Sequence, residues 1–190
     1  MPYVRCHDCG LRTYCVSGEE CPFCGAPLGG LPRTSARPAH TVALAGTAPS
    51  GPIERVLALA RQELRMDAAL VSEVRDDREI VRWAVGSGRI PRAQPGQSTP
   101  LQDTICRRLL DGSIDNLVRD AEADPHVRDV PAVRAGPIRA YIGVPVTSAA
   151  ARRYVLCCLA GEARPDLGDA DVRFLEGLVE SLRPRLDGTA

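Results

Sequence analysis

The chain has 190 residues, 44% of them hydrophobic and 25% charged, which allows one ordinary domain and a small appendage. Its 24 basic residues balance its 24 acidic ones, so no whole-molecule attraction to nucleic acid is expected. Every basic residue is arginine, which excludes Schiff-base and P-loop lysine chemistry and fits a GC-rich, bacterial genome.

Residues 1–30 carry Cys6-His7-Asp8-Cys9-Gly10 and Cys21-Pro22-Phe23-Cys24-Gly25, with 11 residues between the pairs. Two Cys-x-x-Cys turns bring four thiolates around one tetrahedral Zn²⁺, and Gly10 and Gly25 free the backbone just past each turn. So few large apolar side chains build no core here, and metal binding would supply the folding free energy. Cys6, Cys9, Cys21 and Cys24 are the expected ligands of one structural zinc. Cys15 and His7 are spare donors, read as a small strand filler and a solvated turn residue. Residues 3–28 resemble a zinc ribbon, a small β-hairpin module.

Residues 31–52, rich in Pro, Ala, Ser, Thr and Gly, read as a linker that includes a solvated His40. The third segment is 53–187. Ile53, Val56, Leu57, Ala60 and Leu64 form one stripe of an amphipathic helix that Asp67 ends. Ala68–Val74 and Glu79–Val85 read as strands around the charged turn 75–78. Residues 86–97 form a loop. A helix is expected from Thr99 or Pro100 through Leu110, stopped by Gly112. A short strand, Ile114–Val118, precedes a polar loop at 119–137 with room for one short helix. Arg139–Val146 and Arg153–Ala160 are apolar on both faces, as strands at a sheet centre are. A last helix, 169–186, carries Val172, Leu175, Val179, Leu182 and Leu186 at alternating steps of three and four, capped by Asp169.

This order predicts an α+β domain with an antiparallel sheet. The first and last helices should lie side by side on one face, with the middle helix and the long loop on the other.

The segments PLQDTICRRLLDG (100–112) and NLVRDAEADPHVRDVPAVRAGPIRAYIGVPV (116–146), with the closing helix, resemble a GAF domain, the small-molecule sensor module of signalling proteins. Val118–Pro125 is similar to the family's V-x-D-…-D-P element, and Ala140–Val146 to its s-y-l-G-v-P-l strand. The resemblance implies a sheet covered by helices on both faces and a ligand pocket under the long loop. Trp83, Cys106, Asp120, His126, Arg139 and Tyr141 are the candidates to line it. No cysteine after Cys24 is followed by histidine, unlike the bilin-binding members. The Asn-Lys-Phe-Asp-Glu signature of the cyclic-nucleotide members is impossible without lysine.

The leading expectation is a non-enzymatic regulatory protein, its GAF domain sensing a small molecule or docking a signalling partner and its ribbon serving as an interaction module. A second is a thiol-based redox enzyme or sensor, methionine-sulfoxide-reductase-like, using Cys106 with Cys157 or Cys158. Adjacent strand residues point to opposite faces, so those two cannot serve one site together. Both lie mid-strand, where burial raises a thiol's pKa and blocks attack, so Cys106 is expected to lack a reachable second thiol. A third is a nucleic-acid-binding ribbon using Arg5, Arg12, Arg33 and Arg37 with a regulatory GAF domain. The longest apolar stretch, 154–160, is too short to span a bilayer, and residues 1–10 hold no apolar signal core. A cytoplasmic location is expected, and a homodimer through the first and last helices, using Leu59 and Leu178.

Overall fold

The computed structural model describes residues 3–5, 12–14, 51–86, 90, 93–134 and 136–187. Cys6, Cys9, Cys15, Cys21, Cys24, His7 and residues 31–50 of the linker lie outside them. The chain divides into two compact units near residue 43. In the first, β1 (Tyr3–Arg5) pairs antiparallel with β2 (Arg12–Tyr14).

The second unit opens with α1 (Pro52–Glu63), where Pro52 stands at the first helical position. Arg65, at φ 52, takes the left-handed position that ends the helix, and Met66 N–H closes onto Arg61 O at 2.9 Å. Arg164 Nη1 caps the freed carbonyls of Leu64 and Arg65 at 2.7 and 2.9 Å. The helix thus ends before Asp67, whose carboxylate instead accepts from Gly161 N–H at 2.8 Å.

Strands β3 (Ala68–Arg75) and β4 (Arg78–Gly86) join through Asp76 and Asp77, both at positive φ, the mark of a tight hairpin turn. With β5 (Ser98–Pro100), β6 (Leu117–Val118), β7 (Ala140–Thr147) and β8 (Arg153–Ala160) they form an antiparallel sheet of order β5-β4-β3-β8-β7-β6. The expected α+β architecture is present, with helices on both faces. One face carries α1 and α4 (Asp169–Leu182), which also contact each other. The other carries α2 (Ile105–Leu110) and the segment holding α3 (Pro131–Arg134).

Several boundaries differ from expectation. The helix expected from Thr99 or Pro100 is three pieces: β5, a 3₁₀ turn Leu101–Asp103, and α2. Thr104 interrupts it, its hydroxyl donating to Leu101 O at 2.9 Å and accepting from Arg107 N–H at 3.3 Å. The strand expected at 114–118 shortens to Leu117–Val118. Asp171, rather than Asp169, accepts from Gly168 N–H at 2.8 Å and starts α4, which becomes 3₁₀ at Arg183–Arg185 around Pro184. Leu59 and Leu178 are only 7% and 0% exposed, so they are core residues and leave the dimer surface drawn from them without support.

Trp83 also departs from the simple strand pattern. A register shift between Val71 and Ser72 pairs Val81 with Ser72 but Trp83 with Val71, adding one residue at Arg82. Val81 and Trp83 therefore stand on opposite faces of the sheet, although their spacing puts them on the same one.

Candidate functional site

Between the sheet and α2 lies a cavity of about 190 Å³. Leu70, Val81 and Leu159 form its sheet wall; Ile105 and Ile138 close it from the other side. The hollow follows from what covers this face. A six-residue helix and a segment containing Pro131, Gly136 and Pro137 reach less far than the 12 and 14 residues of α1 and α4. On β7 the cavity-facing position after Tyr141 is Gly143, which has no side chain. A Cβ there would collide with Tyr141 Oη, so glycine lets the tyrosine lie along its own strand.

A polar cluster occupies one end. Cys106 Sγ donates to Glu79 Oε1 at 3.4 Å and shares a second hydrogen bond with Tyr141 Oη, also at 3.4 Å. Cys157 projects from β8 into the same cavity and stands close enough to Cys106 for the two thiols to influence each other's ionisation. In the strand register Cys157 stands opposite Gly143, the residue of β7 that has no side chain. The expectation that Cys106 lacks a reachable second thiol is therefore corrected. Cys158 faces the α4 side, as alternation requires.

The three thiols and the Tyr141 phenol favour their protonated forms. The bond to Cys157, burial and the Glu79 charge push the Cys106 thiol well up from its ordinary range. For Cys157 the bond from Cys106 acts downward, but burial and the charges of Glu79 and Cys158 outweigh it and the thiol is raised. Burial, then the neighbouring thiols and Glu79, raises the Tyr141 phenol well above its usual value. Burial alone pushes Cys158 up to about 12.

Of the six candidates, the structure brings Cys106 and Tyr141 together in the cavity; the other four are not among its lining residues. Trp83 is turned away by the extra residue at Arg82. Arg139 pairs with Asp120 at 3.0 Å and with Glu122 at 3.3 Å, a clamp that ties the long loop to the start of β7. That pairing holds the Asp120 carboxyl below its usual range, the Arg139 hydrogen bond contributing most. His126 is exposed, and its backbone N–H donates to Asp124 Oδ1 at 2.8 Å. Glu79, Thr99 and Thr104 are cavity residues that sequence reasoning did not select, and Cys157 enters that reasoning only as a candidate redox partner of Cys106. For Glu79 a signal existed: it stands two residues before Val81, a charged group on the inward phase of an apolar strand.

Among the described residues no group of three or more metal-binding side chains is arranged to hold a metal, and no helix is long and apolar enough to cross a membrane.

The GAF domain family matches residues 53–183. No curated protein sequence matches the chain. Among solved structures, the fold is similar to the phycocyanobilin-bound GAF domain of a cyanobacterial phytochrome, with 14% identity over 70% of this chain and 82% of that one, at a TM-score of 0.53. It is similar to free methionine-R-sulfoxide reductase from Neisseria meningitidis in complex with its substrate: 18% identity, 70% and 74% coverage, TM-score 0.54. The GAF domain of an Acinetobacter phosphoenolpyruvate-protein phosphotransferase gives 17% identity, 67% and 75% coverage and a TM-score of 0.53.

Proposed function

The chain belongs to the GAF domain family, and on that premise we propose that it is a non-enzymatic regulatory protein whose cavity binds a small molecule. The carrying observation is the cavity itself, apolar along its walls and polar at one end, the usual form of a small-molecule site. At about 190 Å³ it lies below the roughly 300–1,000 Å³ of pockets for drug-sized ligands. Ligand-observed NMR of the full chain against a library of small molecules tests the reading. Hits are expected, and Ala132→Phe, which fills the cavity from α3, should abolish them; hits that persist in this variant would place binding elsewhere.

Binding without turnover is supported by the state of the thiols, since raised and buried thiols are poor nucleophiles. The approach of Cys157 to Cys106 favours one alternative. In it the pair passes to a disulfide while a sulfoxide becomes a thioether and water. Thiol-dependent reduction of free methionine sulfoxide, lost in Cys106→Ala, would establish that reading.

The N-terminal module completes the proposal as a structural zinc ribbon in a cytoplasmic protein. Four thiolates in two Cys-x-x-Cys turns are a donor set that fits Zn²⁺, with Cys6, Cys9, Cys21 and Cys24 as ligands. The antiparallel pairing of β1 with β2, whose connecting residues include Cys6 and Cys9, supports a hairpin there. Bound metal would supply folding free energy, and the ribbon would serve as the surface through which a signal leaves. Elemental analysis should give one zinc per chain, lost in Cys21→Ser and kept in Cys15→Ser.

A further inference from the structure

The sheet buries two glutamates, and they are treated differently. Glu73, on β3, is 5% exposed, and Arg82 donates to its Oε2 from Nε at 2.6 Å and also from Nη2. Glu79, on β4, is 9% exposed and lines the cavity, and its Oε1 accepts from the Cys106 thiol. Among the described residues no arginine pairs with Glu79. A buried carboxylate without a cation is costly unless something in its site compensates it. The Arg82–Glu73 pair is the compensation this protein makes elsewhere in the same sheet.

We infer that the cavity takes a small organic cation, a protonated amine with a compact apolar body, whose ammonium group sits against Glu79. This rests on the reading of the cavity as a small-molecule site and names its ligand class. The walls set the body: Leu70, Val81, Ile105, Ile138 and Leu159 offer apolar contact. A cavity of about 150 Å³ lined by such side chains is enough for benzene, so about 190 Å³ admits a benzene-sized group with a short polar arm. The polar end sets the charge. The bond to Cys157, burial and the Glu79 field keep Cys106 protonated, so this end of the cavity offers no competing thiolate and presents negative potential to the ligand. An anion would meet Glu79 without a balancing arginine, and a neutral molecule would leave the carboxylate as it found it.

Three probes of matched shape test this on the full chain: benzylamine, benzyl alcohol and benzoate, titrated at neutral pH by protein-observed NMR. Benzylamine is expected to bind at least about tenfold tighter than benzyl alcohol, and benzoate the weakest, because a charge-assisted contact to a buried carboxylate outweighs a neutral one. Glu79→Gln should erase the preference while benzyl alcohol still binds. Equal binding of amine and alcohol, or a preference that survives Glu79→Gln, overturns the cation assignment and leaves the cavity a small-molecule site. Failure of all three probes to shift cavity residues overturns both readings. If Glu79→Gln does not fold, the wild-type ratio of amine to alcohol decides by itself.

Discussion

The α1–α4 face of the sheet and the α2 face share strands β3, β7 and β8, yet only the first is filled. On the first, Leu57, Ile142, Leu156, Leu175, Leu178 and Leu182 are all 0% exposed. On the second, the same strands end in a cavity of about 190 Å³. The neighbours Cys157 and Cys158 mark the contrast at one residue's resolution: one borders the polar end of the cavity, the other is fully buried on the opposite face. Helix length makes the difference, since a short helix and a Pro-rich segment leave space that two long amphipathic helices do not. One face carries stability and leaves the other free to carry a ligand.

The largest effects should therefore fall on the sealed face. Leu178→Ala is expected to cost about 3–5 kcal/mol in urea unfolding, as truncation in a fully packed core does. Leu70→Ala, on a wall that already borders open space, should cost about 2 kcal/mol or less because fewer packing contacts are lost. Equal costs would mean the two faces are packed alike.

Gly143→Ala is next, at about 1–3 kcal/mol, since the new methyl collides with Tyr141 Oη. Combining it with Tyr141→Phe should recover part of that loss, and a strictly additive double mutant would show that the two do not meet. Tyr141→Phe alone should cost about 0.5–1.5 kcal/mol, the worth of its bond with Cys106.

At neutral pH the thiols should be silent on both faces. Iodoacetamide should leave Cys106, Cys157 and Cys158 unmodified in the folded protein, as mass spectrometry of tryptic peptides would report. Alkali removes that silence. The unfolded thiol ionises near its ordinary value, whereas folded Cys158 holds its proton to about 12. A raised folded pKa gives stability that is fully present below the unfolded value and lost as pH rises toward the folded one. Cys106, Cys157 and Tyr141 are shifted the same way. Unfolding midpoints should fall steadily from about pH 9 upward, and less steeply in Cys158→Ala.

Much of the sealed face was legible in the sequence. The stripe Ile53–Leu64 and the closing helix repeat at helical steps, and β7 and β8 are apolar on both faces, so their identity follows from periodicity alone. The cavity face was harder because its facts are matters of register. Cys157 shares the cavity with Cys106 through the pairing of β7 with β8, where it stands opposite Gly143. Trp83 leaves the cavity through one extra residue at Arg82, which an alternating pattern cannot reveal. The break at Thr104 was hidden because its side chain competes with the helix for the backbone bonds of its own segment. Arg139 and Asp120 were selected as charged residues near the right strand, but their opposite charges close on each other.

Xenon pressure followed by NMR on the full chain tests the division of the two faces most directly, because xenon reports apolar space without reference to any ligand. The account predicts saturable shifts at Leu70, Ile105, Ile138 and Leu159, with none at Leu156, Leu178 or Leu182. Shifts on both faces, or on neither, would contradict it.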